Sequence, residues 1–293
     1  MSPTNLDHEV EIVRSFDSTE LAARSMGEGD GTPLLIVNAV GAGLALWRRT
    51  LVDVARERRI VMWDHRGLHE SGAPRSDRMD PGAQAEDALA VLQHFGIERF
   101  VMASWSNGTR IALEIAHREP DNLAAFSIVC GGYGHPFGRL LRHLELASLL
   151  PTVAGVAKHF ASFIEAPFRR ITSRPEIAGL VRQSGMIAAT ADTTALVDLL
   201  RGMAACDMRT LLATYEDIAG DPAPELLTEV QVPTLIVAGE KDPFTPRRVS
   251  EEMAAAIPGA RLEVYERATH YLPIEYPAKL SDDLRRFWSD LGL

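Results

Sequence analysis

Residues 100 to 116, FVMASWSNGTRIALEIA, pass from a strand to a helix through Ser104-Trp105-Ser106-Asn107-Gly108, which leaves almost no room for a loop. A junction that short must be a sharp turn, and it sets a rule for its own side chains. The residue at the apex holds a strained backbone, so the positions two before and two after it must be small for strand end and helix start to approach. With Ser106 at the apex those positions are Ser104 and Gly108, and both comply. With Ser104 at the apex, Met102 would fill the crowded position, which disfavours that register. Read alone, the five residues equally describe an ordinary turn whose serine caps the helix. The strand before and the helix after favour the strained apex.

The rest of the chain repeats that unit. Residues 9 to 16 and 19 to 27 alternate polar and apolar around Asp17-Ser18, which predicts an opening antiparallel hairpin. After it come short, nearly continuous apolar runs at 34–37, 59–63, 100–103, 125–129 and 234–237, the pattern of strands covered on both faces of a parallel sheet. Another strand is expected at 261–265. Helical spacing falls between them at 45–57, 81–94, 108–118, 246–257 and 279–290, a βαβα series. From 134 to 222 strand character stops and helices are expected, at 138–150, 177–188 and 192–205 among others. The reading is an α/β core formed by residues 1–133 and 223–293, interrupted by a helical cap at 134–222. With 293 residues and 46% hydrophobic content, one sizeable core is within reach.

A serine hydroxyl is a poor nucleophile near neutral pH, so the apex reading needs a base within hydrogen-bond reach and a third group to hold that base's tautomer. His270 follows the strand at 261–265 after a short loop, and Asp242 follows the strand at 234–237. In a parallel sheet both loops emerge at the carboxyl edge, the edge that carries Ser106. Singly, His270 reads as a surface histidine and Asp242 as a loop residue or helix cap; the order Ser, Asp, His along the chain favours the joint reading. His8, His65, His69, His94, His117, His143 and His159 lack that setting and are taken as structural or solvated. His135 opens the insertion and is a candidate to face the site.

With a formal net charge of −10, the chain would repel polyphosphate, and no Lys/Arg cluster forms a basic face, so nucleic acid is not an expected partner. Cys130 and Cys206 are far apart with no metal-ligand spacing, so neither a disulfide framework nor a metal site is indicated. No basic leader with an apolar run opens the sequence, and no apolar stretch reaches the ~18 to 20 residues needed to cross a bilayer. A cytoplasmic protein without a membrane span is expected, and a homodimer is left open.

Together these features resemble the α/β-hydrolase family with a helical cap, over residues 10 to the C-terminus. Asp64-His65-Arg66-Gly67 followed by Ser71 is similar to that family's DxRGxGxS turn, and His270 is followed by Glu275 and Pro277. Three positions depart from the pattern: Asn38-Ala39 stands where many members have His-Gly, Ser104 replaces the first glycine of GxSxG, and His69 replaces a glycine. The resemblance implies an α/β-hydrolase fold and a two-donor oxyanion hole, formed by the backbone N–H of Val40 and of Asn107. The string Asn38 to Trp47 is also similar to some polyhydroxyalkanoate depolymerases of this family.

The implied chemistry is a serine hydrolase acting through an acyl-enzyme on Ser106, with no metal or organic cofactor required. A serine rather than a carboxylate at the apex argues against the dehalogenase and epoxide-hydrolase branches. Ester, thioester, lactone and carbon–carbon hydrolysis stay open, as does a non-hydrolytic binding or biosynthetic protein that retains the triad. The insertion is rich in leucine and phenylalanine, so a small apolar acyl or ring-bearing substrate is expected. Trp105, His135, Leu141 and Phe163 are the candidate substrate contacts.

Overall fold

The computed structural model describes residues 6, 8–134, 161–172, 174, 176–220 and 223–293, without the side chains of 161–164 and 219–220. His135 and Leu141, and the helix expected at 138–150, lie outside the described residues. Phe163 falls in a described helix, but its side chain is not among those described.

Seven strands form one sheet, with the hydrogen-bonded path β1-β2-β4-β5-β6-β7 and β3 paired to β2. The strands are β1 Glu9–Arg14, β2 Glu20–Val37, β3 Arg58–Trp63, β4 Phe100–Trp105, β5 Leu123–Val129, β6 Thr234–Gly239 and β7 Arg261–Tyr265. The opening hairpin appears as expected, with β1 antiparallel to β2. The run at 34–37, however, is the far arm of the 18-residue β2 rather than a separate strand. Met26 and Leu34 both pair with Ile60, and Ser25 and Leu35 both pair with Val61. Since a strand residue has one neighbour on each side, β3 lies between the two arms of β2. From the far arm of β2 through β4, β5, β6 and β7, every pairing is parallel.

The continuous apolar runs follow from coverage on both faces. Every residue of β4 and of β6 is buried. Along β4, Phe100 and Met102 join one hydrophobic cluster while Val101, Ala103 and Trp105 join the other, as the two-residue period of a strand requires. Leu35 and Val37 divide from Leu34 and Ile36 in the same way. Each such side chain, taken out of water, contributes about 1.5–3 kcal/mol.

Helices α1 Leu44–Glu57, α2 Pro81–His94 and α3 Gly108–Arg118 connect the first strands. Between β5 and β6 the described residues hold only helices: α4 Ala161–Thr172, α5 Ile177–Gln183, α6 Thr193–Ala205, α7 Met208–Gly220 and α8 Glu225–Glu229. Helix α5 stops short of the expected 177–188 because Gly185 adopts φ +76, which the right-handed helix does not allow. After β6 come α9 Arg247–Ala256, α10 Leu272–Glu275 and α11 Pro277–Asp290. No helix among the described residues is long and apolar enough to cross a membrane.

Candidate active site

Ser106 is the first residue beyond β4. Its N–H donates to the Val129 carbonyl at 3.1 Å, and its φ of +56° lies in the left-handed region. For a residue with a Cβ that conformation costs roughly 1–2 kcal/mol, and it persists because β4 and α3 fix both sides. The crowding expected around the apex is present. A Cβ at Gly108 would lie 2.2 Å from the Asn38 carbonyl oxygen and 2.7 Å from that of Val37. The Ser104 hydroxyl, in the other restricted position, fits by pairing with the Thr109 hydroxyl at 3.0 Å. Gly108→Ala must therefore separate α3 from β2 or bend the turn. It is expected to cost at least the 1–3 kcal/mol typical of overpacking, read as a lowered urea midpoint with an unchanged slope.

The three residues expected to converge do so. The Ser106 hydroxyl lies 2.7 Å from His270 Nε2, and His270 Nδ1 lies 2.8 Å from Asp242 Oδ2. This arrangement has Nδ1–H donating to the carboxylate and leaves Nε2 to accept the serine proton. His270 and Asp242 are each only 5% exposed. Asp242 uses its two oxygens separately. Oδ1 accepts the N–H groups of Phe244 and Thr245, each at 2.8 Å, while Oδ2 receives His270 and stands 2.7 Å from the Thr245 hydroxyl. Asp242 thus caps the turn at 243–245 through Oδ1, short of α9, whose N-cap is Pro246, and meets the imidazole through Oδ2. Burial pushes the carboxyl up, but the His270 hydrogen bond and charge, together with Thr245, outweigh it and hold Asp242 below its ordinary value.

Backbone bonds lock the two loops together: Glu240 N–H donates to Tyr265 O at 3.0 Å, and Lys241 N–H to Ala268 O at 2.8 Å. On the far side of His270, the buried Glu275 carboxylate accepts the Thr269 N–H at 2.7 Å and the Ala188 N–H at 2.9 Å, tying the histidine loop to the segment between α5 and α6. Thr245 and Thr269 were not singled out from the sequence. The Asp-x-x-Thr spacing at 242–245 was the signal available for the first, since a carboxylate that accepts an N–H three residues on needs that geometry.

Trp105, expected as a substrate contact, is held against the histidine loop. It is 5% exposed, its indole N–H donates to the His270 carbonyl at 2.9 Å, and its ring centroid lies 5.2 Å from the imidazole. Its strand position explains this, because Trp105 shares the face of Val101 and Ala103 and packs under the histidine loop. Phe244 and Tyr271 flank the imidazole at 5.0 and 5.7 Å.

The loop expected to supply the Val40 oxyanion donor is a tight turn. Ala42 N–H donates to Ala39 O at 2.9 Å, with Gly41 at φ +75. The Val40 N–H points toward the elbow, but it donates to the Asn107 side-chain oxygen at 3.0 Å. Asn107's own N–H has no hydrogen-bond partner among the described residues. Asn38, in place of the family's histidine, anchors the loop by accepting the Trp47 indole N–H at 2.7 Å.

One group of possible metal donors arises among the described residues: Cys130, Asp242 and His270, with donor atoms within 4.8 Å of one another. Burial pushes the Cys130 thiol well up, and its Sγ faces the Thr269 carbonyl at 3.6 Å. The histidine and aspartate atoms of that group are engaged with each other, an arrangement suited to moving a proton.

Residues 32–277 match the family described as alpha/beta hydrolase fold. Among curated relatives, the protein of Azorhizobium caulinodans named "Putative carbamate hydrolase RutD" is 26% identical over 269 residues, covering 90% of this chain and 93% of its own. The 2-hydroxymuconate semialdehyde hydrolase of Pseudomonas sp. strain CF600 is 23% identical over 284 residues and 92% of each chain. Among solved structures, the esterase RhEst1 from Rhodococcus sp. ECU1013 superposes with a TM-score of 0.75 at 21% identity, covering 97% of this chain and 99% of its own. The chain belongs to the alpha/beta hydrolase fold family.

Proposed function

We propose that the protein is a serine hydrolase that cleaves a carboxylic ester of a small apolar molecule through an acyl-enzyme on Ser106. The observation that carries this reading is the unbroken relay from the Ser106 hydroxyl through His270 to Asp242, at 2.7 and 2.8 Å, with the serine on a strained elbow. His270 takes the Ser106 proton as the oxygen attacks the carbonyl carbon, and the negative charge develops on the carbonyl oxygen. His270 then delivers that proton to the leaving alcohol, and in the second half activates a water that releases the acid. Asp242 stays ionised throughout, consistent with the lowering of its pKa.

The oxyanion falls to the N–H groups of Asn107 and Val40. The first is free to donate; the second becomes so when the Asn107 amide turns away and the substrate carbonyl takes its place. Exchanging a neutral acceptor worth about 1 kcal/mol for a charged one favours that replacement in the transition state. Residues 134–222 form a cap over the site in this reading, with Phe244 and Tyr271 supplying apolar rings beside the imidazole. The hydrolase names of the relatives support bond cleavage by water, and the ester is our choice among the acyl substrates the relay can open.

The test is turnover of p-nitrophenyl esters of increasing acyl length, together with intact-mass analysis after a fluorophosphonate probe. One adduct on the protein, with a turnover optimum at short to medium chains, is the expected result. An adduct without turnover of any ester would replace hydrolysis by a binding or biosynthetic role, and absence of an adduct on folded protein would remove Ser106 as nucleophile.

A further inference from the structure

The turn at 64–71 carries a residue that the site described above does not use. His69 adopts φ +50, a conformation that costs a residue with a Cβ about 1–2 kcal/mol and that glycine takes freely. Yet the imidazole is not loose. Its Nε2 lies 3.0 Å from the carbonyl oxygen of Gly41, in the same tight turn that carries the Val40 N–H. Its Nδ1 lies 3.7 Å from Cys206 Sγ, just past the end of α6, and its ring edge is 3.4 Å from where a Cβ on Gly202 would stand.

The two turns also meet the helical insertion directly. A Cβ on Gly41 would lie 2.7 Å from Leu211 Cδ1 of α7 and 3.4 Å from Met203 Cγ of α6, and one on Gly67 would lie 2.8 Å from Thr210 Cγ2. The loop bearing Val40 is therefore seated against residues 202–211 of the insertion, and His69 is the polar pin between them.

We propose that His69 is a positioning residue that fixes the Val40 N–H for the developing oxyanion by tying Gly41 to the Cys206 end of α6. The inference rests on the serine-hydrolase reading. A backbone turn with one carbonyl anchored and one N–H aimed at the elbow has little freedom left to rotate its peptides. Without the anchor the turn keeps its internal Ala42–Ala39 bond and the Asn38–Trp47 bond at its base, while the Val40–Asn107 bond is the one given up when the oxyanion is held. The Nε2–H donates to Gly41 whether the ring is neutral or charged. The Cys206 thiol proton is directed at the Gly202 carbonyl, 3.4 Å away, so the sulfur packs against Nδ1 in the neutral ring and accepts its N–H in the charged ring. Burial pulls the imidazole's pKa down, but Cys206, the Asp64 charge and the Gly41 carbonyl outweigh it and raise it above the ordinary histidine value. The other facing imidazole, His65, is held neutral by burial, pushed down to about 3, so no second charge competes.

The test compares His69→Gly, His69→Gln and Cys206→Ala with the wild type in p-nitrophenyl butyrate turnover and in the rate of fluorophosphonate labelling. Glycine suits the backbone and removes the pin. His69→Gly is expected to remain folded while kcat and the labelling rate fall about 30-fold at nearly unchanged KM, since a misaimed oxyanion donor acts on the transition state. Glutamine places an amide N–H the same number of bonds from the Cα and is expected to recover most of that loss. A wild-type protein that does not label at all would defeat the serine-hydrolase reading itself. A wild type that labels beside a His69→Gly that retains kcat within twofold, a loss confined to KM, or no recovery in His69→Gln would overturn this inference alone. Should His69→Gly unfold, Cys206→Ala decides: a kcat lower by about threefold or more at unchanged KM is expected, and an unchanged kcat overturns the proposal.

Discussion

Ser106→Ala is expected to abolish fluorophosphonate adduct formation and to lower ester turnover by about 10⁴ to 10⁶-fold, leaving only what the oxyanion donors and binding supply. The size follows from the chemistry, because without the Ser106 oxygen the neutral His270 has nothing to deprotonate but water. Loss of activity alone would not separate a nucleophile from a structural serine, so backbone strain provides the control. Alanine keeps the Cβ that makes φ +56 costly, while glycine does not. Ser106→Gly should therefore be more stable than Ser106→Ala by about 1 kcal/mol, read from urea midpoints, with both inactive. Two variants of equal stability would mean that the elbow is not strained in solution. An active alanine variant would remove Ser106 from the mechanism.

The parts of this site that were legible in the sequence are those governed by short-range sterics. Gly108 had to be small because Asn38 O stands 2.2 Å from any Cβ at 108, and such a clash constrains the residue type itself. The strands of the parallel sheet were legible because both faces of Phe100–Trp105 and Thr234–Gly239 are covered, which leaves no polar position to blur the run. Asp242 and His270 then followed from topology, being placed at one edge by parallel pairing.

What stayed hidden depends on partners far apart in the chain. Nothing in residue 107 announces that its side chain will meet the Val40 N–H, 67 positions away. Nor does Trp105 announce that its indole N–H will meet the His270 carbonyl, 165 positions away, where strand alternation turns it under the histidine loop. Helices α4 and α7 gave no expectation of their own. The first carries Pro167 in its interior, which breaks the usual signal, and tertiary packing of α4 on α6 and α7 overrides it.

Asp242→Asn is the second change with a large expected effect, and it leaves the shape of the site almost intact. The asparagine carbonyl can still accept the Phe244 and Thr245 N–H groups now held by Oδ1. Its NH₂ then occupies the position of Oδ2, 2.8 Å from His270 Nδ1, and offers a donor where the wild type offers an acceptor. The imidazole answers by moving its proton to Nε2, which faces Ser106 and can no longer accept from it. A fall in kcat on the order of 10⁴-fold is expected, with circular dichroism and KM little changed. The same carboxylate leaves a mark on stability. Its folded pKa lies below the ordinary aspartate value, so its contribution is complete above that value and is lost as pH falls through the folded pKa. The wild type should therefore lead Asp242→Asn in urea midpoint near neutrality, and the lead should shrink only in strong acid. A lead that vanished already between pH 5 and 7 would mean that Asp242 is not the ionised partner of His270, and a variant of full activity would mean that another group orients the base.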